Sequence, residues 1–511
     1  MNFEQGILKS ELLLRKSFKI RHSTGFSHPP NPVWLATFAA FVLSAGALTA
    51  DDFPARDEIL SAMKEASAFY QENLAVEGGY ASSWKKDLSL GYSEHRESAT
   101  LISIQPHGTT TVGLRMLRAF EVTGDPLFLA GAKGAVSALV TTQLSSGGWE
   151  ADVDFESKFL RGRHWRTDLE KGDSDPGKRR NASTLDDHKT TSALLLLLEY
   201  VNADEVNPSD EVKQALEFGI DGLLGAQFSN GGWLQRFDGP ADPDVPVVKA
   251  SIVENWLREW PDENYTRFVT LNDGNLGNVM DFLLRAHELT GESRFLAAAV
   301  RLGDFFLLAQ LPESQPAWAQ QYDEQMRPVW ARKFEPPAVS SGESYDAAET
   351  LAKIWQETGE DRYRDAALKA LAWIEKSQLP NGEWARFYEL GTNRPLYCEA
   401  DTYALTYDDS NLPKHYGFKI DSGLGNKVER LKALFELSPE EAREKQQAPQ
   451  WQATWEKRAK GLRGKVKQAM ESREPEGYWI DDGKIDAGSF VKHFGVLTDY
   501  VEALDESKKP D

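Results

Sequence analysis

The sequence predicts an all-α fold in which helical hairpins stack into an incomplete (α/α) toroid, with long loops forming a cleft on one rim. The main observation is a repeated spacing: a Thr-Gly-acid triplet begins at Thr123, Thr290 and Thr358, and a Gln-Leu pair follows each after 20 residues. Apolar residues recur at helical spacing inside these intervals, so each is predicted to be one helix of about four turns. A second amphipathic segment precedes each triplet, which makes the unit a hairpin of antiparallel helices.

The ends of the predicted hairpins indicate how the units are arranged. Four units end at Gln143, Gln227, Gln310 and Gln378, at steps of 84, 83 and 68 residues. The second unit, residues 207–227, has the same length but begins with a different turn. These steps are too long for a tetratricopeptide array, and they are typical of a helical toroid with long loops on one rim.

Composition excludes several classes of protein. The chain has 511 residues, and 58 Lys and Arg against 79 Asp and Glu give a formal charge of −21, which excludes non-specific binding of nucleic acid. With 41% hydrophobic and 11% aromatic residues, the chain can bury a large core. The single cysteine, Cys398, excludes a disulfide framework and a cysteine-based zinc site.

The first 50 residues have the pattern of a leader and signal peptide. An apolar run from Val33 ends in the small residues Ala-Leu-Thr-Ala at Ala50, so we expect cleavage near Ala50 and a secreted or periplasmic protein. A transmembrane anchor is the alternative interpretation. Residues 1–50 contain five basic and two acidic side chains, so their removal would leave a formal charge of −24.

A turn and a tryptophan follow each of the repeated glutamines. Gly-Gly-Trp ends at Trp149 and at Trp233, Gly-Glu-Trp ends at Trp384, and Trp318 follows Gln310 more loosely. Four tryptophans at equivalent places on one rim favour a sugar-stacking surface, because indole rings present flat apolar faces to pyranose C–H groups. The alternative is that these rings plug the ends of the hairpins.

Acidic residues gather where the first helix of each hairpin begins, at Asp186, Asp187, Asp273 and Glu343. Antiparallel hairpins place these helix starts and the tryptophan turns on the same rim. An acidic residue at a helix start is ordinarily a cap, which is the alternative interpretation. Carboxylates that face one cleft repel each other unless a proton or a cation lies between them, and oxygen ligands select a hard ion such as calcium.

Arginines beside aromatic residues form a second concentration, in residues 327–337 and 384–395. Guanidinium groups next to rings make forked, stackable sites for carboxylates, although structural Arg–Glu pairs are the alternative. A cleft that combines carboxylates, arginines and aromatic rings suits an anionic sugar polymer held partly through a metal. The sequence contains no phosphate loop, Ser-His-Asp elbow or dinucleotide fingerprint.

Five motifs follow one another between about Gly147 and Gly417. They are Thr-Leu-Asp-Asp-His-Lys-Thr-Thr from Thr184, Asn-Gly-Gly-Trp-Leu-Gln from Asn230, Thr-Leu-Asn-Asp-Gly from Thr270, Trp-Ala-Arg-Lys-Phe-Glu-Pro-Pro from Trp330, and Trp-Ala-Arg-Phe-Tyr-Glu-Leu-Gly-Thr-Asn-Arg-Pro from Trp384. Together they resemble the pectic acid lyases of polysaccharide lyase family ten. The resemblance implies a mostly helical toroid around a cleft, and cleavage of polygalacturonate by calcium-assisted β-elimination.

Carried over motif by motif, the resemblance implies that Asp186 and Asp273 face the calcium ion. It also implies that Arg332 and Arg386 hold uronate carboxylates. The complete predicted sets add residues from the acidic, aromatic and basic clusters described above. The expected calcium ligands are Asp186, Asp187 and Asp273. The expected substrate-binding residues are Arg332, Arg386, His415, Trp149 and Trp233.

The chain departs from the family at two places. In the family, a further arginine followed by aspartate is the catalytic base, whereas this chain has Ala400 at that position. The first Gly-Gly-Trp of the family is usually followed by Pro-Lys-Asn, whereas Glu-Ala-Asp follows Trp149 here. We predict that Arg394, the closest arginine in sequence, takes the place of the missing base. The alternatives are a basic residue of the pair Lys414-His415, a protein that binds without cleaving, or a different substrate.

These observations predict a secreted, pectate lyase-like enzyme that uses Ca²⁺ and binds polygalacturonate. After the leader, residues 51–416 are expected to form the catalytic toroid, and residues 417–511 a C-terminal helical extension that closes the layer. We expect a monomer with no nucleic-acid partner and no stable membrane anchor. The alternatives are a uronate-binding protein without lyase activity, or a toroid glycoside hydrolase in which Asp187, Asp273 or Glu343 act as paired acid and base.

Overall fold

A computed structural model describes residues 53–447 and 454–508, so the predicted signal peptide and its cleavage site at Ala50 lie outside the described residues. The helices are α1 Arg56–Phe69, α2 Thr109–Thr123, α3 Pro126–Thr141, α4 Ser157–Arg161, α5 Arg166–Glu170, α6 Lys189–Asn202, α7 Asp210–Gly225, α8 Asn275–Thr290, α9 Ser293–Ala309, α10 Ser341–Thr358, α11 Asp361–Lys376, α12 Gly423–Phe435, α13 Pro439–Gln447, α14 Trp455–Glu471 and α15 Ala487–Glu506. Within this part of the chain, no helix has both the length and the apolar character needed to cross a bilayer.

The helices form hairpins that stack in two layers, which confirms the predicted incomplete (α/α) toroid. The hairpins are α2–α3, α6–α7, α8–α9 and α10–α11. In the first layer α2, α6, α8 and α10 pack side by side in that order, with α15 before α2 and α12 after α10. The second layer contains α3, α7, α9 and α11. In the described ranges α12 does not pack extensively against α14 or α15, so the ring is open there.

The Thr-Gly-acid triplets form the turns of three hairpins, as predicted. Gly291 ends α8 in the left-handed region, at φ 69°, where its N–H bonds back to the carbonyl of His287. The Thr290 hydroxyl donates to the carbonyl of Ala286 at 2.7 Å and accepts from the N–H of Glu292, which precedes α9. The turns at Gly124 and Gly359 have the same arrangement.

The repeated glutamines connect neighbouring helices of the second layer. The side-chain amide of Gln143 donates to the carbonyl of Gly147, at 2.8 Å, and to the carbonyl of Ala215 in α7, at 2.9 Å. Gln227 and Gln310 make the same pair of bonds, to their own turns and to α9 and α11 respectively. Each of these three glutamines therefore satisfies a carbonyl of its own turn and holds the next unit in register, whereas the fourth, Gln378, donates to its own turn at Gly382.

The repeated tryptophans are structural. Trp149 and Trp233 are completely buried, and their indole N–H groups donate to the carbonyls of Leu139 and Leu223, at 2.9 and 2.8 Å. The same arrangement recurs at Trp318, Trp384 and Trp479. The prediction that Trp149 and Trp233 stack on sugars is wrong, because no face of either ring is accessible. The alternative applies: these rings plug the hairpin ends and bond to carbonyls near the ends of the preceding helices.

Short antiparallel strands close each unit on one rim. The strands are β1 Ser83–Trp84, β2 Gly91–Tyr92, β3 Glu97–Ser98, β4 Leu101–Ser103, β5 Asp152–Asp154, β6 Ser183–Thr184, β7 Arg236–Phe237, β8 Val269–Thr270, β9 Gln321–Tyr322, β10 Ala338–Ser340, β11 Trp384–Ala385, β12 Phe387–Glu389, β13 Pro395–Cys398, β14 Leu405–Thr406, β15 Lys419–Ile420, β16 Ile480–Asp481 and β17 Lys484–Asp486. The sheets are β4–β5, β6–β7, β8–β9, β11–β15, β10–β12–β13–β14 and β16–β17–β1–β2–β3.

Four of these pairings place the predicted functional residues on the same rim. In β4–β5, β6–β7, β8–β9 and β10–β12, the strand that leads into a first-layer helix pairs with the strand that follows the tryptophan of that unit. The start of each first-layer helix is therefore fixed beside the end of its own hairpin.

The C-terminal residues pack at both ends of the open ring. Helix α12 packs against α10 and α11, whereas α15 packs against α1 and α2. Strand β17 pairs with β1, with Asp486 opposite Ser83, so the last described helix is joined to the N-terminal part of the toroid. The domain division between residues 416 and 417 stays a prediction.

Candidate functional site

Three aspartates converge at the starts of two first-layer helices. Asp186 and Asp187 lie just before α6, and Asp273 lies just before α8. One carboxylate oxygen from each lies within 4.8 Å of the other two. The three predicted calcium ligands are therefore brought together, and we call them the acid cluster.

The acid cluster is presented by two turns of the same shape. Asp186–His188 and Asn272–Gly274 each form one 3₁₀ turn, and Asp187 and Asp273 have φ values of 47° and 53°. Left-handed backbone is uncommon for residues other than glycine, and aspartate tolerates it better than most. Neither α6 nor α8 has a side-chain hydrogen bond at its N-cap, so the interpretation of these aspartates as ordinary caps does not apply.

A buried lysine holds two of the three carboxylates. Lys189 Nζ lies 2.9 Å from Asp186 Oδ2 and 3.2 Å from Asp187 Oδ2. Side-chain amides add further bonds, from Gln235 to Asp186 at 2.9 Å and from Gln105 to Asp187 at 3.3 Å. With all three aspartates ionised, one ammonium against three carboxylates leaves two negative charges uncompensated.

The pKa of Asp273 reflects both desolvation and this surplus negative charge. Desolvation within the cleft, followed by the negative charges of Asp187, Asp186 and Glu343, raises the pKa of the Asp273 carboxyl to about 7, against the opposing effect of Arg386. Although the Asp273 side chain is reached by solvent, the surrounding walls of the cleft remove much of its hydration. Desolvation also raises the pKa of Asp187, and the charge of Asp186 adds to this.

The residues present fit a divalent cation. The cluster has a surplus of negative charge, and its donors are carboxylate oxygens, which calcium prefers. Two amide oxygens next to it, Gln235 Oε1 and Asn272 Oδ1, are buried and accept no hydrogen bond from any described residue. Their amide nitrogens donate to Asp186 and Asp273, so both oxygens belong to residues that already touch the cluster.

Arg386 lies between β11 and β12, beside the start of α10 and close enough to Asp273 for its charge to act on that carboxyl. Its Nη2 lies 2.8 Å from Glu343 Oε1, and its guanidinium carbon lies 4.7 Å from the centroid of the Tyr416 ring. Burial opposes the charge of Arg386, but Glu343, Tyr416 and Asp273 outweigh it and raise the pKa of the guanidinium above its usual range. Arg386 Nε is buried without a hydrogen-bond partner among the described residues, which leaves a donor for a ligand.

Arg332 approaches the same tyrosine. Its guanidinium makes two bonds to Glu335, at 2.7 and 2.5 Å, and lies 5.5 Å from the Tyr416 centroid. The buried Glu335 also accepts from Gln320 and from the Tyr416 hydroxyl. Both predicted arginines therefore form the Arg–Glu pairs that were the alternative interpretation. The Arg332 side chain is still 41% exposed, so pairing does not remove it from the cleft.

Arg394 lies away from the acid cluster, contrary to its predicted role as the base. It precedes β13 at the far end of β12 from Arg386, and its carbonyl accepts from the N–H of Glu389. Its guanidinium carbon lies 3.5 Å from the centroid of the Tyr407 ring. Although Arg394 is close to Ala400 in sequence, it is not close to the acid cluster, because the β12–β13 turn lies at the end of β12 opposite Arg386.

His415 lies beside the arginines. Its ring packs edge-on against Phe334, with centroids 4.9 Å apart. The guanidinium carbon of Arg332 also lies 4.9 Å from the centroid of the Phe334 ring. The exposed His415 therefore extends the surface next to Arg332, and no hydrogen bond or ion pair joins it to the acid cluster in the described residues.

Several residues of the site were missed by sequence reasoning. Lys189 and Gln235 stand inside two motifs that had been singled out, so their positions carried a signal. Tyr416 directly follows the predicted His415. Two further residues had no signal in the sequence. Gln105, which follows β4, donates to Asp187, and Glu94, which lies between β2 and β3, raises the pKa of Asp187 by its charge.

Residues 143–349 match the family model described as pectic acid lyase, which confirms the resemblance seen in the motifs. The match contains the acid cluster and Arg332, whereas Arg386, Arg394 and His415 lie beyond it. This region is therefore polysaccharide lyase-like. Among curated proteins none matches the chain.

Several solved structures are similar to the chain. A family 10 polysaccharide lyase from Cellvibrio cellulosa is 17% identical, over 64% of this chain and 98% of that chain, with a TM-score of 0.43. A mutant of a family 10 polysaccharide lyase from the same organism, in complex with trigalaturonic acid, is 16% identical over 63% and 97%, with a TM-score of 0.43. A glycoside hydrolase family 76 mannosidase from Bacteroides thetaiotaomicron is 10% identical over 89% and 99%, with a TM-score of 0.42.

Proposed function

We propose that this protein is a pectate lyase, which cleaves polygalacturonate by calcium-assisted β-elimination. The observation that carries the proposal is the placement of the acid cluster opposite Arg386, with Arg332 on the same tyrosine. A cation site beside paired arginines is what an anionic polymer requires in a protein that is itself acidic. The family match of residues 143–349 supports the same class of reaction.

The arginines would bind the carboxylates of the polymer. A guanidinium group presents a planar fork of N–H donors that fits a carboxylate, and stacking on Tyr416 fixes the plane of the fork. The pKa values of Arg332 and Arg386 are both raised above the usual range, because Glu335 and Glu343 outweigh the cost of burial. Both groups therefore stay cationic, which suits anion binding and is unfavourable for accepting a proton.

The acid cluster would hold the calcium ion. Lys189 and Gln235 fix Asp186 by hydrogen bonds, and Lys189 fixes Asp187, so two of the three ligands are positioned before any cation arrives. Asp273 would complete the set from the neighbouring turn. When bound, calcium would withdraw charge from the uronate carboxylate and so make the adjacent C5 proton easier to remove.

In the elimination, a base removes the C5 proton, the C4–O bond breaks, and the departing oxygen gains a proton. The product has a C4–C5 double bond, whereas hydrolysis would add water and leave no double bond. Arg386 and Arg332 would stabilise the negative charge that develops on the C6 carboxylate as the proton leaves. This is the role for which a permanently charged donor is suited.

One assay on polygalacturonate tests the proposal. Ultraviolet absorbance from an unsaturated product, present with calcium and abolished by a chelator, is the expected result. New reducing ends without this absorbance would identify a hydrolase. Binding of the polymer without either signal would identify a non-catalytic uronate-binding protein.

A further inference from the structure

A second concave surface lies next to Arg332: its lining includes the adjacent Lys333 and no residue of the acid cluster. It is a cavity of about 590 Å³, a volume typical of sites that bind small ligands. We call it the loop pocket. The loop pocket is lined by Arg258, Glu259, Trp260, Trp330, Lys333, Leu396 and residues 402–407.

Exposed aromatic rings form the walls of the loop pocket. Trp260 is 37% exposed, and its ring is held by a 2.8 Å bond from its indole N–H to the carbonyl of Ala331. Tyr407 is 43% exposed, and its hydroxyl donates to Glu389 at 2.7 Å. These rings are accessible and fixed in orientation, unlike the buried tryptophans of the hairpin ends. A fixed, accessible ring is what stacking against a pyranose face requires.

Cationic side chains lie against these rings. Lys333 Nζ is 3.8 Å from the Tyr403 centroid, and Arg394 stacks on Tyr407. Arg258 forms an ion pair with Glu389, a carboxylate whose pKa is held low by Thr392, Arg258 and Tyr407 despite its desolvation. Two carboxylates, Glu259 and Glu389, lie beside these three cations, so one positive charge is left over at the cavity. In a protein with a formal charge of −21, a local positive charge favours an anionic ligand.

The loop pocket is continuous with the arginines of the candidate site. Lys333 directly follows Arg332, and the rings of Tyr403 and His415 both pack on Phe334. Because the Arg332 guanidinium also packs on the Phe334 ring, the loop pocket and the arginines of the candidate site are adjacent at Phe334. A chain of anionic sugars bound at Arg332 would be directed toward Lys333.

We propose that the loop pocket binds a further uronate residue of the polymer, remote from the bond that is cleaved. Trp260 and Tyr407 would stack on the sugar ring, and Lys333 would bind its carboxylate. The inference rests on the proposed function for the identity of the polymer. Oligomers long enough to reach the loop pocket would therefore bind more tightly than shorter ones.

Calorimetric titration with trigalacturonate and hexagalacturonate, in the presence of a chelator, tests this assignment without turnover by a calcium-dependent lyase. The variant carries Trp260→Ala and Lys333→Ala. The matched control carries Leu257→Ala and Lys249→Ala, two exposed positions of the same loop that do not line the pocket. Circular dichroism and thermal melting confirm that both variants fold.

We expect the variant to bind hexagalacturonate at least tenfold more weakly than the wild type, with a change below twofold for trigalacturonate. The control variant should bind both like the wild type. Equal losses for the two ligands, no loss for the hexamer, or the same loss in the control would each overturn the inference. So would equal wild-type affinity for carboxyl-reduced, neutral hexamer. An absence of unsaturated product in the lyase assay would refute the proposed reaction, while this length-dependent binding would still report on the loop pocket.

Discussion

Asp187 and Asp273 share the same left-handed backbone conformation, in matching turns that open two successive hairpins, and their carboxylates face each other. The repeat thus produces a site by symmetry: one local structure, used twice, directs two acidic groups at a common point. The left-handed backbone at both residues distinguishes these positions from an ordinary helical first turn.

Replacing Asp273 by Asn should weaken calcium binding by about 100-fold, because a neutral amide removes one of three charged ligands from the cluster. Isothermal titration with calcium chloride measures the change. Asp204→Asn serves as the matched control and should bind calcium like the wild type, because this exposed residue follows the C-terminal end of α6, whereas Asp186 and Asp187 precede its N-terminal end. Unchanged calcium affinity in Asp273→Asn would contradict the assignment of the cluster.

The same substitution should stabilise the calcium-free protein at pH 8. A carboxyl with a folded pKa of about 7, against an unfolded value near 4, binds a proton more tightly when folded, so the protein loses stability as pH rises from 4 to 7. Above pH 7, the ionised Asp273 carboxylate destabilises the folded protein to its full extent. Because Asp273→Asn removes this charge, we expect the free energy of unfolding to rise by about 1 kcal/mol, after allowance for solvent screening.

Urea unfolding in a chelator at pH 8 and pH 4 measures this difference. The variant should gain stability at pH 8 and show little difference at pH 4, where Asp273 is neutral in the folded protein and about half ionised in the unfolded protein. With excess calcium at pH 8, the wild type should become more stable than Asp273→Asn, because calcium binding to the folded wild type adds stability. A variant less stable than the wild type at pH 8 without calcium would refute the pKa argument.

Arg386→Ala should lower lyase turnover by about 100-fold or more, because the variant loses a charged donor beside the reacting carboxylate. Arg394→Ala should lower it by less than about threefold, since Arg394 lies at the other end of β12. Initial rates of unsaturated product formation at saturating polygalacturonate measure both variants. If Arg394→Ala abolishes turnover while Arg386→Ala retains it, Arg394 would be the base after all.

Gln143→Ala should destabilise the protein by about 2 kcal/mol, because two buried carbonyls lose their donor and α7 loses its connection to the preceding unit. Gln378→Ala is the matched comparison: this exposed glutamine has one hydrogen bond to its own turn, to Gly382. We expect Gln378→Ala to lower the free energy of unfolding by less than about 1 kcal/mol. Thermal and urea unfolding compare the two, and equal losses would mean that the inter-unit bond adds nothing.

The helices could be predicted from the sequence because their signals are local. The Thr-Gly-acid turns, the 20-residue intervals and the apolar periodicity all lie within single units, and α3, α7, α9 and α11 occupy the predicted intervals. The acid cluster could also be predicted, since Asp186, Asp187 and Asp273 stand at equivalent positions of adjacent units. Repetition converts a local pattern into a spatial one.

Accessibility could not be predicted in the same way. A tryptophan at the end of a hairpin has the same spacing whether its ring faces a sugar or a core, and only packing distinguishes Trp233 from Trp260. The position of Arg394 depends on the direction of the β12–β13 turn, which the sequence does not encode in any periodic signal. The loop pocket combines two segments more than 130 residues apart, residues 258–260 and 402–407.

The paired strands at the rim separate the parts of the molecule that can vary from those that cannot. Residues 238–268 connect β7 to β8, and each of these strands is fixed in its own antiparallel pair. Insertions or deletions between them would reshape the wall that carries Trp260 without displacing Asp273 in the turn after β8. Ligand preference can therefore diverge between related proteins while the acid cluster is preserved.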